Sequence, residues 1–246
     1  MSTFLNQPKA SAAFLLFLLA PVVAPASAQS LCEQLQAMDY RCDGSSFKTA
    51  VMDGDADAVR LFLQSGQSPN QTLEVAGVVY PAIAMAVNEG YVDIARALAD
   101  AGADISSVMQ AGDAQVGSTV KNAIGNPEML RFVLSAGADA SPPTPGGFFP
   151  IHTCLIGEEA PHLESLRVLL DHGIDPNSTG HGDVDWVTPL VMAALMGHDE
   201  AISILVGYGA DPTVQAPDGT GLPEMAEIRS NYDTANALRE AIEAYE

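Results

Sequence analysis

The chain has 246 residues, with 31 acidic side chains against ten lysines and arginines, and a formal net charge of −21. Phosphate backbones and anionic lipid repel such a chain, which argues against nucleic acid and membrane surfaces as partners. A protein with a basic surface fits better, although the charge could also serve only to keep the chain soluble.

The first 28 residues have the pattern of a secretory signal peptide. Lys9 supplies the positive charge, residues 12–24 are apolar, and Ala26-Ser27-Ala28 has the small-x-small form that signal peptidases accept. We expect cleavage after Ala28, giving a chain with no membrane insertion that is periplasmic or secreted. The alanine-rich signal is typical of a Gram-negative bacterium.

Residues 29–45 form an N-terminal segment with two cysteines, Cys32 and Cys42. In an oxidising compartment these two could form a disulfide that closes a small loop. Cys154 stands alone in an apolar helical stretch and is predicted to be a small core residue rather than a reactive thiol.

Residues 46–216 contain five similar segments, each predicted to be an amphipathic helix that ends at a glycine. The glycines are 36, 35, 36 and 36 residues apart: Gly66, Gly102, Gly137, Gly173 and Gly209. In the first segment Val59 and Phe62 occupy positions that are apolar in all five, three residues apart, as one buried stripe requires. Four segments also have an acid three residues before an arginine, which predicts ion pairs within each helix: Arg60, Arg96, Arg131 and Arg167.

A shorter helix is predicted before each of these segments, most clearly at residues 188–198, which read Thr-Pro-Leu-Val-Met-Ala-Ala-Leu-Met-Gly-His. Thr-Pro-Leu-x-x-Ala-Ala-x-x-Gly-His, followed by an amphipathic helix and Gly-Ala-Asp, resembles the ankyrin repeat. The resemblance implies an all-α solenoid of about five repeats over residues 46–216, with β-hairpin fingers and a C-terminal capping repeat at 217–246. The repeats exceed the usual length of about 33 residues, and most of the additional residues fall in the fingers.

Several polar residues have both a structural and a functional interpretation. His152 and His198 occupy positions where the resemblance implies structural histidines. The run Asp53-Gly-Asp55-Ala-Asp57 begins like a calcium loop but lacks the later glycine and glutamate, so Asp55 or Asp57 is expected to cap a helix. His181, Asp183 and Asp185 lie close together on a finger, which is a weak indication of a metal site.

The sequence has no zinc-protease, phosphate-loop, serine-hydrolase or complete dinucleotide-binding motif. We therefore expect no catalytic residue, no cofactor and no bound metal. Aromatic side chains on exposed loops are common anchors of protein interfaces, and acidic fingers suit a basic partner. The candidate partner-binding residues are Tyr80, Phe148, His181, Asp183, Asp185 and Trp186. Each aromatic residue could instead pack on its neighbours, and Phe149 is expected to do so.

These features predict a monomeric, non-catalytic protein-binding module that acts in the bacterial periplasm. Its concave face is expected to be acidic, with Glu74, Asp113, Asp183, Asp185 and Asp218 contributing. The resemblance to exported bacterial ankyrin-repeat proteins implies a periplasmic enzyme such as a catalase, or a toxin, as the partner. One alternative is a secreted effector that binds a host protein. Another is a metal-dependent enzyme that uses His181, Asp183 and Asp185.

Overall fold

A computed structural model of the protein describes residues 27–141, 146–156 and 162–245. The predicted signal peptide, except for Ser27 and Ala28, lies outside these residues, as do residues 157–161 of the predicted fourth repeat. In the described part of the chain, no helix combines the length and the apolar character that crossing a membrane requires.

The described residues form thirteen α-helices, most of them short. From α2 onwards they come in pairs of a first and a second helix, and in every pair except α8 and α9 a short described turn joins the two. The helices are α1 Ala28–Ala37, α2 Gly44–Asp53, α3 Ala56–Gln64, α4 Ala82–Asn88, α5 Val92–Asp100, α6 Thr119–Ala123, α7 Pro127–Ser135, α8 Pro150–Thr153, α9 Leu163–Asp171, α10 Pro189–Met196, α11 Asp199–Gly207, α12 Leu222–Ile228 and α13 Tyr232–Tyr245.

The second helices α3, α5, α7, α9 and α11 fall where the amphipathic pattern predicts them, and each has nine residues. An acid stands in the first turn of each, where the helix dipole favours negative charge. The glycine that closes each segment has a positive φ, for example 95° at Gly66 and 89° at Gly209. This left-handed conformation costs glycine little, which explains why the residue recurs at the helix ends.

The first helices vary more in length. α10 starts with Pro189, and the Thr188 hydroxyl accepts a hydrogen bond from the Val191 amide at 3.2 Å, so both residues fix the start of the helix. α6 has only five residues and α8 only four. α6 contains Lys121 and Asn122 at positions where alanine is expected, so fewer apolar side chains are available to extend it.

The helices share one hydrophobic core, which extends from Leu35 in α1 to Leu238 in α13. The first helices of neighbouring pairs contact each other from α2 to α12, and so do most of the second helices. The predicted stripe forms this core, since Val59, Phe62 and Leu166 have no exposed surface. No single pair could bury its apolar side on its own, so each pair depends on its neighbours.

Two of the connections between helix pairs are β-hairpins, as the predicted fingers require. The strands are β1 Thr72–Val75, β2 Val78–Pro81, β3 Val108–Ala111 and β4 Ala114–Ser118. The two hairpins join through Val79 and Gln110 into one antiparallel sheet with the order β1-β2-β3-β4. In the first hairpin Leu73 lies opposite Tyr80, and Leu73 is buried against the core.

The prediction of a hairpin finger is wrong for the connection between α9 and α10. There the chain forms a short 3-10 helix, Gly182–Val184, and no strand. The Gly180 amide donates to the carbonyl oxygen of Val187 at 3.0 Å, which closes a compact loop. The segment is rich in glycine and lacks the alternating apolar residues of a strand.

The N-terminal segment packs on the first helix pair. Leu31 and Leu35 of α1 are buried, and the Tyr40 ring meets the Phe62 ring edge-on with the centroids 6.0 Å apart. The Sγ atoms of Cys32 and Cys42 lie 1.97 Å apart, which is disulfide distance, and the two Cα atoms are 5.2 Å apart.

The arginines on the second helices make contacts that differ from the prediction. Arg60 forms the expected pair with Asp57, at 2.9 Å, and also lies 3.9 Å from Asp93 of the next second helix. The other three reach only the next second helix, so the expected pairs within the helix are wrong for them. Their partners are the Phe132 ring for Arg96, Glu164 for Arg131 and Glu200 for Arg167. The stacking of the second helices brings the acid or ring of one helix close to the arginine of the helix before it.

Candidate protein-binding surface

The described residues of the five connections between the helix pairs form a row, which we call the loop row: residues 67–81, 103–118, 138–141 with 146–149, 174–188 and 210–221. Neighbouring connections are hydrogen-bonded to each other at each of the four junctions, through β2 and β3, Asp139 and Ser106, His181 and Gly147, and Asp211 and Asn177. The loop row contains nine acidic residues and no lysine or arginine. It is therefore an edge of the protein with uniformly negative charge.

Two asparagines tie one connection to the next. The side-chain oxygen of Asn70 accepts from the Asp104 amide at 2.8 Å, and its side-chain nitrogen lies 3.4 Å from the Gly102 carbonyl oxygen. Asn177 makes the equivalent contacts with the Asp211 amide at 2.8 Å and the Gly209 carbonyl oxygen at 3.0 Å. These bonds fix the spacing of the loops.

All five acids that were expected to line the binding face are exposed: Glu74, Asp113, Asp183, Asp185 and Asp218. The four arginines of the second helices lie outside the loop row and are engaged with acids or a ring. These four arginines thus lie on the second helices and not among the acidic connections.

The candidate aromatic residues Tyr80 and Phe148 are both half-buried and pack against the core. Tyr80 lies in β2, and the Phe148 ring centroid is 5.6 Å from that of His152. Phe149 also packs on the core and lies 6.2 Å from the His152 ring, in keeping with its expected packing role. These rings have a structural contact in addition to whatever surface they present to a partner.

His181, Asp183 and Asp185 are exposed on the loop between α9 and α10. The structure does not gather these three described residues into a group that could hold a metal ion. The backbone amide of His181 instead donates to the Gly147 carbonyl oxygen at 2.7 Å and anchors the loop to the preceding connection. Asp55 of the calcium-like run caps α3, because its carboxylate accepts from the Ala58 amide at 2.9 Å.

Two buried groups that could in principle react are held neutral. Nε2 of His152 lies 2.9 Å from the Val187 carbonyl oxygen, and burial lowers the pKa of this ring below its usual 6.5. Burial raises the pKa of the Cys154 thiol to about 12, so the nucleophilic thiolate is suppressed. Both residues therefore act as core components.

Trp186 is half-buried and packs on the core, and it also lines a surface cavity of about 420 Å³. Asp211 and Tyr245 line the same cavity, and the sequence interpretation selected neither of them. Asp211 belongs to the recurring Gly-Ala-Asp pattern, so the sequence offered no reason to assign it a separate role. Tyr245 could not be predicted from its neighbours in sequence, because only the path of α13 brings it to this cavity.

Stacked helix pairs with one continuous core, joined by short loops and hairpins, define the class of helical repeat proteins. Three copies of the ankyrin repeat match residues 118–216. Residues 118–216 of the chain therefore consist of ankyrin repeats.

Three relatives illustrate the similarity. An ankyrin repeat-containing protein of Treponema pallidum is 33% identical over 139 residues, which is 56% of this chain and 44% of the relative. The ankyrin repeat, SAM and basic leucine zipper domain-containing protein 1 of Dasypus novemcinctus is 29% identical, over 51% of this chain and 26% of the relative. The ankyrin repeat and SOCS box protein 16 of Mus musculus is 26% identical, over 76% of this chain and 44% of the relative.

The chain spans less than half the length of each of these three relatives. What the similarity establishes is therefore the repeat itself. Ankyrin repeats are generally protein–protein interaction modules, and the family is typically non-catalytic.

Proposed function

We propose that this protein is a monomeric, non-catalytic protein-binding module, built as a solenoid of five ankyrin repeats over residues 46–216 with a C-terminal capping repeat at 217–246. The observation that carries the proposal is the loop row, an ordered edge with nine acidic side chains and no lysine or arginine. Such an edge suits a partner with a basic patch, because complementary charge steers association and favours one partner over others.

We further propose that the protein works in the periplasm after removal of residues 1–28. The signal-like sequence supports export, and two cysteines close together near the start of the mature chain suit an oxidising compartment. The partner would be a periplasmic enzyme or a toxin that reaches the periplasm.

The test of compartment is fractionation of cells that express the full chain. We expect the protein in the periplasmic fraction, with Gln29 as its first residue by N-terminal sequencing. Recovery from the culture medium would instead favour a secreted effector that binds a host protein. Recovery from the cytoplasm with an intact N-terminus would refute export.

The test of function is capture of partners by the mature protein, immobilised through a flexible C-terminal linker, from a periplasmic extract at about 50 mM salt. We expect one stoichiometric partner with a basic patch, and we expect its release at about 0.5 M salt because exposed charges are then screened. Capture that is equally strong at both salt concentrations would refute binding through charge.

A set of charge-neutralising variants locates the surface. Glu74→Gln, Asp113→Asn and Asp183→Asn together remove three exposed charges from the loop row. The matched control is Asp100→Asn, Glu128→Gln and Glu240→Gln, which removes three exposed charges from second helices. We expect only the first set to weaken binding, by about tenfold or more. An equal effect of the two sets would show that overall charge matters, and not the loop row.

A further inference from the structure

The cavity beside Trp186 has a composition that differs from the rest of the loop row. It lies between the fourth and fifth connections and the end of α13, and its volume is about 420 Å³. Two aromatic residues, Trp186 and Tyr245, line it together with Asp211, Thr179 and Gln215. Asp211 is the one charged residue among those lining the cavity in the described part of the chain.

The loop that presents Trp186 is held in place by short-range contacts. The Asp185 amide donates to the Gly182 carbonyl oxygen at 3.2 Å, and the Val187 amide donates to that of Val184 at 3.0 Å. A Cβ at Gly180 would come within 2.4 Å of the Val184 carbonyl oxygen, so the close turn before Trp186 requires glycine. Because these contacts exist before any partner binds, little ordering of this loop remains to oppose binding.

The opposite wall is also fixed. Oδ1 of Asp211 accepts from the amide and the hydroxyl of Thr213, at 2.8 and 2.7 Å, and the Asp211 amide donates to Asn177 at 2.8 Å. None of the arginines or lysines in the described ranges forms an ion pair with Asp211. Arg239, which lines the neighbouring cavity, is paired with Glu227 at 2.5 Å. The Asp211 carboxylate is therefore held by hydrogen bonds to Thr213 and has no ion pair with a described residue.

We propose that this cavity binds an arginine side chain of the protein partner, whose guanidinium group contacts Trp186 and Tyr245 and is neutralised by Asp211. A guanidinium is attracted to aromatic faces, most strongly to that of tryptophan, and it pairs with carboxylates. Asp183 and Asp185, which closely precede Trp186 in sequence and are exposed, add to the negative potential around the cavity. This inference rests on the proposed protein-binding function and names the chemistry of one contact.

Trp186 is the only tryptophan of the chain, so its fluorescence reports on this cavity. The probe is Nα-acetyl-arginine amide, and the matched control is Nα-acetyl-citrulline amide, which has a similar shape and no charge. We expect a saturable change in Trp186 fluorescence, in the millimolar range, with about tenfold weaker binding of the citrulline probe. An equal response to both probes, or no response to the arginine probe up to about 20 mM, would overturn the inference.

Two variants assign the effect to the cavity. Asp211→Asn keeps an oxygen that can accept from Thr213 but removes the charge, and we expect it to abolish the preference for arginine over citrulline. Asp218→Asn removes an exposed charge of the same loop outside the cavity and should leave the preference intact. Tyr245→Ala should weaken binding of the arginine probe. Because the Tyr245 side chain is 56% exposed, this substitution should not unfold the protein, and thermal unfolding of each variant checks that directly.

Capture of the partner separates this inference from the proposed function. If Asp211→Asn and Tyr245→Ala capture the partner as well as the unaltered protein does, the arginine site is wrong and the protein-binding function stands. If the arginine probe binds with the expected preference but no partner is captured, the site stands and the proposed function loses its support.

Discussion

The cysteine pair offers a quantitative test of how the N-terminal segment is held. Cys32 and Cys42 are ten residues apart in sequence, and a disulfide across such a loop lowers the entropy of the unfolded chain. The chain-entropy relation gives a stabilisation of about 2.7 kcal/mol at 25 °C for a loop of this length. We therefore expect the double variant Cys32→Ala/Cys42→Ala to unfold more easily by about 2 to 3 kcal/mol.

The assay is urea-induced unfolding of the mature protein, purified from the periplasm, with and without a reductant. Reduction should lower the free energy of unfolding of the natural sequence and leave that of the double variant unchanged. Because α1 packs on α3 and buries Leu31 and Leu35, the α1 segment should also become accessible to protease after reduction.

Thiol counting provides the independent control. In the native oxidised protein no thiol should react with a thiol reagent, since Cys154 is buried and its pKa is raised to about 12. One thiol should react after unfolding without reductant, and three after unfolding with it. Three reactive thiols in the unreduced, unfolded protein would show that the bond does not form, and an unchanged stability on reduction would refute the loop-entropy argument.

Three further predictions concern the described core and surface. The His152 ring has a pKa below 6.5 in the folded protein and about 6.5 when unfolded, so the stability it contributes is complete above pH 6.5 and is lost as the pH falls. Between about pH 7.5 and 5.5, urea unfolding should show that His152→Gln loses less free energy of unfolding than the unaltered chain does. His172→Gln changes an exposed position and should lose as much as the unaltered chain. Asn177→Ala removes the hydrogen bonds to Gly209 and Asp211 and should lower the free energy of unfolding in urea by about 1 to 2 kcal/mol. Asn88→Ala, at an exposed position, is the control. A change near zero for Asn177→Ala would contradict the conclusion that these bonds fix the spacing of the loops. Arg131→Ala should lower the free energy of unfolding by less than about 1 kcal/mol, because the ion pair between Arg131 and Glu164 is exposed. A decrease above about 2 kcal/mol, with no decrease for Arg229→Ala, would refute that expectation.

The second helices could be predicted because their signals are local. An apolar stripe at helical spacing, an acid in the first turn and a glycine at the end all act within about a dozen residues, and the structure reproduces the predicted helices. The role of Asp55 followed from the same short-range reasoning, since a cap bonds to an amide three residues away.

The contacts of the arginines could not be predicted in the same way. The spacing of Glu128 and Arg131 within one helix suggested a pair, yet Arg131 reaches Glu164, 33 residues later. Whether Glu128 or Glu164 lies closer to Arg131 depends on how neighbouring helices stack. The sequence pattern within one repeat does not give the distance between neighbouring helices. The missing hairpin before α10 has a related cause, because the loop is shaped partly by its bond from His181 to Gly147 of another connection.

The sequence by itself thus determined the repeat, the helices of each pair and the negative charge of the connections, because each depends on residues that are neighbours in the chain. Only the tertiary structure decided which side chains share a surface. It placed Trp186, Asp211 and Tyr245 around one cavity, although 59 residues separate the two aromatic positions, 186 and 245. Such a cavity exists only because successive repeats stack at a fixed spacing and the last helix returns towards the loops, and no local pattern encodes that geometry.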